Sequence, residues 1–148
     1  MDNNFAYLAT DIGRLFRKRL DCAARPIGVT GAQLRVLLYL DRKPGANQVT
    51  LASFLEVEPI TAGRMIDRMV AAELVERRAD PEDRRAWLLF ATAKGDELLA
   101  RMGGQVEDML DLALDGLSVD ERNALISLLD RVRCNLLMEP ETVEARHG

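Results

Sequence analysis

The stretch from Gln48 to Thr92 constrains this chain more than any other, because it reads in three unlike steps. First comes a short helix: Thr50 can cap it through its hydroxyl, and Leu51, Ala52, Phe54 and Leu55 supply an apolar face within two turns. Glu56-Val57-Glu58-Pro59 then interrupts. Pro59 disfavours a helical residue before it and is preorganised for the first turn of a new helix. Two helices meeting across so short a turn are the minimum for a helix-turn-helix.

The second helix is expected from Pro59 to about Glu73, with Ile60, Met65, Ile66, Met69, Val70 and Leu74 as its buried stripe. Thr61, Arg64 and Arg68 fall on another face, at i, i+3 and i+7. A hydroxyl and two guanidinium groups suit phosphates and the edge of guanine; a merely solvated polar face is the competing reading. Beyond it, Leu74-Val75-Glu76-Arg77-Arg78 and Arg85-Ala86-Trp87-Leu88-Leu89-Phe90 are β-prone runs around a tip of Asp80-Pro81-Glu82-Asp83-Arg84-Arg85. Ala86, Leu88 and Phe90 alternate onto one face, Trp87 and Leu89 onto the other. A recognition helix followed by a charged hairpin makes a winged helix, whose tip arginines can enter the minor groove. Gln48-Val49-Thr50 is expected to add a short third strand.

These residues resemble the multiple-antibiotic-resistance regulator (MarR) family. Asp83-Arg84-Arg85-Ala86-Trp87-Leu88 fits, read loosely, its Asp-x-Arg-x-x-x-Leu-type wing motif, with the leucine at the third place after Arg85. Glu58-Pro59-Ile60-Thr61, Arg64, Asp67-Arg68-Met69 and Leu74-Val75-Glu76-Arg77-Arg78 follow in matching order, and the likeness covers nearly the whole chain. Two places depart from it. Glu73 stands where the family usually has the glycine that ends the recognition helix, and Ala91-Thr92 replaces the common Leu-Thr.

At 148 residues the chain is expected to form one domain. A net charge of −4 argues at first against nucleic acid, but its distribution matters more. Residues 1–95 hold fifteen Lys/Arg against twelve Asp/Glu, while residues 96–148 hold five against twelve. A mildly basic half beside an acidic one is compatible with DNA binding by a localised patch. Cys22 and Cys134 lie far apart with no CxxC spacing, which rules against a zinc ribbon or a disulfide framework. The lone histidine, His147, leaves almost no material for His-based catalysis or metal ligation. Neither a nucleophile–base pair nor a phosphate loop is present, so an enzyme is not expected, and no cofactor is implied. No run approaches the roughly 18 apolar residues of a membrane span, and no signal peptide is visible, so the cytoplasm is the default.

The flanks are helical. Residues 1–4 read as a frayed start; Phe5, Leu8, Ile12, Leu15, Phe16 and Leu20 mark an amphipathic helix to about Ala24, broken by Arg25-Pro26-Ile27-Gly28. Its outer face carries Arg14, Arg17, Lys18 and Arg19, read as a solvated basic face. Thr30 and Gln33 form a capping box for the next helix, which buries Leu34, Leu37, Leu38 and Tyr39. Thr92 opens a long helix to about Asp115, interrupted by Gly103-Gly104, a pair that either kinks it or is simply tolerated. Ser118 and Glu121 box the last helix, whose wide apolar band ends at Met138-Glu139-Pro140.

The expected fold is therefore mainly α with a small β-hairpin wing: a winged helix-turn-helix at residues 30–92, with dimerisation helices at 5–24 and 93–137. The terminal helices carry more apolar surface than a monomer of this size would cover, which points to a homodimer reading a pseudo-palindromic double-stranded DNA site. Thr61, Arg64, Arg68, Arg84 and Arg85 are the candidate DNA contacts, Arg64 and Arg85 by their match to the family's recognition-helix and wing arginines. Asp83 and Asp67, carboxylates that phosphates repel, are read as orienting wing arginines. The resemblance implies a transcription regulator, a repressor released by a small effector, often an aromatic or phenolic acid. Two alternatives stand beside it: a regulator redox-switched through Cys22, against which Cys22 reads as a buried structural cysteine, and a winged-helix protein-interaction module with no DNA role.

Overall fold

The computed structural model describes residues 4–138. Of the frayed start expected at residues 1–4, residues 1–3 lie outside them, as do the stop at Glu139-Pro140 and His147, whereas Asn4 is ordered as a helix cap. The chain divides into two compact units at Met109/Leu110.

In the first unit, α1 spans Phe5–Ala24, with the Asn4 side chain accepting from the Ala6 amide at its start. A 3-10 turn at Arg25–Ile27 and Gly28 in the left-handed region (φ 77°) end it. Helix α2, Gly31–Arg42, opens on the Thr30/Gln33 capping box, with both reciprocal bonds formed. It is the centre of the core: Leu34, Val36, Leu37 and Leu40 are buried, while Leu38 and Tyr39 are only partly so. The apolar stripe expected of α1 mostly faces outward, since only Leu20 and Ala24 are buried.

The helix-turn-helix follows. Strand β1 is Ala46–Asn47, not Gln48–Thr50, and α3 begins at Gln48 and runs to Leu55. Asn47, not Thr50, caps α3: its carboxamide oxygen accepts from the Thr50 amide at 2.7 Å. Asn47 pairs with Leu88 across the sheet, which holds it in the extended backbone that an N-cap requires. Glu56 ends α3 at φ 56°, and helix α4, Pro59–Ala71, starts with the proline in its first turn.

Helix α4 stops two residues short of the expected end. Glu73 sits at φ 60°, and the amides of Glu73 and Leu74 reach back to the carbonyls of Val70 and Met69, both at 2.9 Å. This is the Schellman pattern, with glutamate at the position where glycine carries no steric penalty. The buried stripe of α4 is Ala62, Ile66 and Met69; Ile60 and Val70, expected inside, are exposed, and Met65 is half-buried. Ala62 is inward instead, because helical spacing sets it on the same face as Ile66 and Met69.

Strands β2 (Val75–Ala79) and β3 (Trp87–Ala91) pair antiparallel from Val75↔Ala91 to Ala79↔Trp87, and the sheet order is β1-β3-β2. Leu89 on the central strand is fully buried, whereas Phe90 and Leu88 on the other face are half-buried. Helix α5, Ala93–Ala113, is tied to the wing by Thr92. Its amide donates to the Leu74 carbonyl at 3.0 Å, its hydroxyl donates to the Glu73 carbonyl, and the same oxygen accepts from the Gly95 amide. A Cβ on Gly95 would lie 2.4 Å from the Leu74 carbonyl oxygen, so only glycine allows this junction. By contrast Gly103 and Gly104 sit in an unbroken helix, and a Cβ on either would meet nothing within 4 Å.

In the second unit, α6 spans Val119–Leu137 and opens on the expected Ser118/Glu121 box. Hydrogen bonding by Ser118, first from its backbone N–H at 2.9 Å and then from its side chain, holds the Glu121 carboxyl below its ordinary range. Arg122 donates to the Leu117 carbonyl at 3.2 Å and approaches Asp111 at 3.8 Å, fastening the turn that Gly116 (φ 86°) makes. No residue of α6 is buried.

Candidate nucleic-acid interface

Helix α4 presents two chemically opposite faces. Ala62, Ile66 and Met69 enter the core; Thr61, Arg64 and Arg68 are all exposed. Helical periodicity sets i, i+3 and i+7 on one side and Ala62, Ile66 and Met69 on another.

The wing tip is built by its aspartates. The Asp80 side chain accepts from the Glu82 amide at 2.9 Å and that of Asp83 from the Arg85 amide at 3.0 Å. Asp83 therefore shapes the backbone at Arg85, and the side chains of Arg84 and Arg85 extend from the tip, both exposed. Among the described residues, none of Arg64, Arg68, Arg84 and Arg85 is engaged in an ion pair. Four cationic groups on two neighbouring elements are thus unpaired among the described residues, which leaves them available to an external polyanion.

The arginines between them behave differently. Arg77 on β2 donates to Asp67 at 2.6 Å and to the Gly63 carbonyl at 3.3 Å, joining the wing to the middle of α4. Its side chain is 22% exposed against 66% for Asp67, so the carboxylate sits outermost and the guanidinium acts as the inner strut. Arg78 points to the other sheet face, pairing with Glu76 and stacking over the Phe90 ring at 4.1 Å. Arg77 was not among the candidate residues. Its alternation with buried Val75 was the available signal: on a strand, Arg77 must share that inward face.

Gln48, Gly63, Asp67, Arg77 and Trp87 line an open cleft of about 370 Å³ between the start of α3, the middle of α4 and the sheet. The carboxamide oxygen of Gln48 is buried there without a hydrogen-bond partner among the described residues. Cys22, expected to be buried, is exposed, as is Cys134. Leu20 and Ala24 take the inward positions of α1, and Cys22 lies midway between them, about 200° around the helix from each. Among the described residues no cluster of His, Cys, Asp and Glu could hold a metal ion, and no helix is long and apolar enough to cross a membrane.

A sequence profile of the MarR family matches residues 29–87, from two residues before α2 to the first residue of β3. The chain is similar to the HTH-type transcriptional regulator BilQ of Clostridium symbiosum, 25% identical over 132 residues that cover 89% of this chain and 92% of that protein. Among solved structures it is similar to a transcriptional regulator of the MarR family from Silicibacter pomeroyi, with a TM-score of 0.81, 26% identity and 94% of each chain covered. It is also similar to a cysteine-to-serine mutant of MarR from E. coli complexed with operator DNA, with a TM-score of 0.67, 27% identity, and 86% of this chain and 91% of that one covered.

Proposed function

We propose, from the premise that the chain belongs to the MarR family of transcriptional regulators, that it is a cytoplasmic, homodimeric repressor reading a pseudo-palindromic operator. Its relatives are regulators, not enzymes. The observation that carries the reading is the pairing of two exposed arginines on α4, Arg64 and Arg68, with two at the wing tip, Arg84 and Arg85, none of them held in an ion pair among the described residues, on elements braced to each other through Arg77 and Asp67. The complex of a related MarR with operator DNA supports it.

Thr61, Arg64 and Arg68 are then the major-groove contacts, and Arg84 and Arg85 reach the adjacent minor groove. Dimerisation is supported by the apolar side chains left uncovered on α1 and on α6. A small aromatic or phenolic effector would release the operator, and screening such acids against the bound operator tests that element separately.

The test of DNA reading separates the two cationic elements. Arg64→Ala removes a guanidinium able to discriminate bases by about 1–3 kcal/mol, and flattens preference at one position of each half-site. Arg85→Ala weakens binding to many sequences more evenly and lowers the salt slope by about one unit for each phosphate it ceases to neutralise. Titrations against the selected operator, single-base variants and unrelated DNA at several salt concentrations read both. Unchanged binding in both variants contradicts the assignment.

One observation favours a second reading, a redox-switched regulator: the Cys22 thiol is exposed. Peroxide that releases the operator from the parent and not from Cys22→Ser would establish it; release in neither would dismiss it.

A further inference from the structure

Ile60 is 71% exposed, although its hydrophobicity placed it in the expected buried stripe. At about 100° per residue it lies nearly opposite Met69 and Ala62, both fully buried. Ile60, Arg64 and Arg68 follow one another at i, i+4 and i+8, so the isoleucine heads the cationic stripe of α4. Single exposed apolar residues are common and require no explanation. This one occupies the first turn, the part of a recognition helix that meets base edges. A branched hydrocarbon there can neither hold a phosphate nor hydrogen-bond a base. The apolar feature offered by the major groove is the C5-methyl group of thymine.

We propose that Ile60 is a specificity-determining residue that packs on the C5-methyl of a thymine in each half-site, close to the guanine contacted by Arg64. The inference rests on the DNA-reading function above and adds a base identity to it. Four residues of helix rise about 6 Å, under two base-pair steps of about 3.4 Å, so the thymine lies within two base pairs of that guanine. The contact complements the arginine: Arg64 supplies hydrogen bonds and charge, and Ile60 supplies a shape that a cytosine, which lacks the methyl, leaves unfilled.

The experiment begins with selection of operator sequences from random duplex DNA by the full chain. Each thymine near the selected guanine is then replaced by deoxyuridine, which removes only the methyl group. The expected loss is about fourfold per half-site, the burial of one methyl-sized group, and so about fifteenfold when both half-sites are changed. Ile60→Ala, on a surface position that leaves the fold intact by circular dichroism, should bind the thymine operator as weakly as the parent binds the deoxyuridine one. It should also no longer distinguish the two. Enrichment of an operator in which every thymine tolerates deoxyuridine overturns the inference and leaves DNA reading standing. So does an Ile60→Ala variant that keeps the full methyl dependence. Failure to enrich any sequence overturns DNA reading and this inference with it.

Discussion

Leu34, Val36, Leu37 and Leu40 of α2 are at most 1% exposed, whereas α6, also leucine-rich, leaves Ile126 at 59%, Leu128 at 55% and Leu129 at 50%. Phe5, Leu8 and Ile12 of α1 resemble α6 in this. Both patterns are amphipathic in sequence, so the difference lies in what covers them. The core around α2 is closed within the chain, by Leu20 and Ala24 at the end of α1, by α3, α4 and the sheet, and by α5 as far as Met102. The terminal helices hold apolar faces that water penalises at roughly 25 cal/mol per Å², and a second copy of the chain is the partner proposed to cover them.

The comparison breaks most visibly on α6. Leu128→Asp combined with Leu129→Asp should abolish self-association, because charges would enter the proposed interface. Operator affinity should fall by more than about a hundredfold once two DNA-reading modules are no longer linked. Light scattering with operator titration checks both; a variant that remains dimeric would remove α6 from the interface. The winged helix should meanwhile keep its thermal transition.

A core substitution should do the reverse. Leu37→Ala leaves a cavity among fully buried neighbours and should cost about 2–5 kcal/mol, read by denaturant unfolding, with a loss of DNA binding that follows the folded fraction. A cost below about 1 kcal/mol, the scale of a tolerated volume-conserving swap, would contradict the self-contained core.

The smallest effect sharpens the account inside the winged helix. Glu73 holds a left-handed backbone that costs a non-glycine residue about 1–2 kcal/mol. Glu73→Gly should therefore stabilise the chain by about 1 kcal/mol, partly offset by the freedom glycine has when unfolded. A raised melting temperature with unchanged operator affinity is expected; a lowered one would mean that the Glu73 side chain stabilises the turn by more than its backbone strain.

Much of the fold was legible because its signals are local. The Thr30/Gln33 and Ser118/Glu121 boxes place donors and acceptors three residues apart, and the limits of α1 follow from its apolar spacing and Pro26. What escaped depends on distant partners. Asn47 displaced Thr50 as the cap of α3 because pairing with β3, some forty positions on, sets its backbone. Ile60 and Val70 were assigned to the core by hydrophobicity, yet the face of α4 that meets the core carries Ala62, which a ranking by side-chain size passes over. The positions of Arg64, Arg68, Arg84 and Arg85 and the pairing of Asp67 with a wing arginine could be anticipated, whereas the identity of that arginine, Arg77, depends on strand alternation meeting a helix face. The exposure of Cys22 likewise depends on which side of α1 meets α2.

The central claim is that two copies of the self-contained winged helix are held at a fixed spacing by the terminal helices. It is tested most directly by measuring affinity for the selected operator as base pairs are inserted between its half-sites. Five added base pairs rotate one half-site by about half a helical turn, and ten restore its face at a greater distance. The account predicts that the five-pair insertion lowers affinity to that of a single half-site, with two chains per duplex on the unaltered operator. Equal affinity for all spacings, or one chain binding one half-site at full strength, would contradict it.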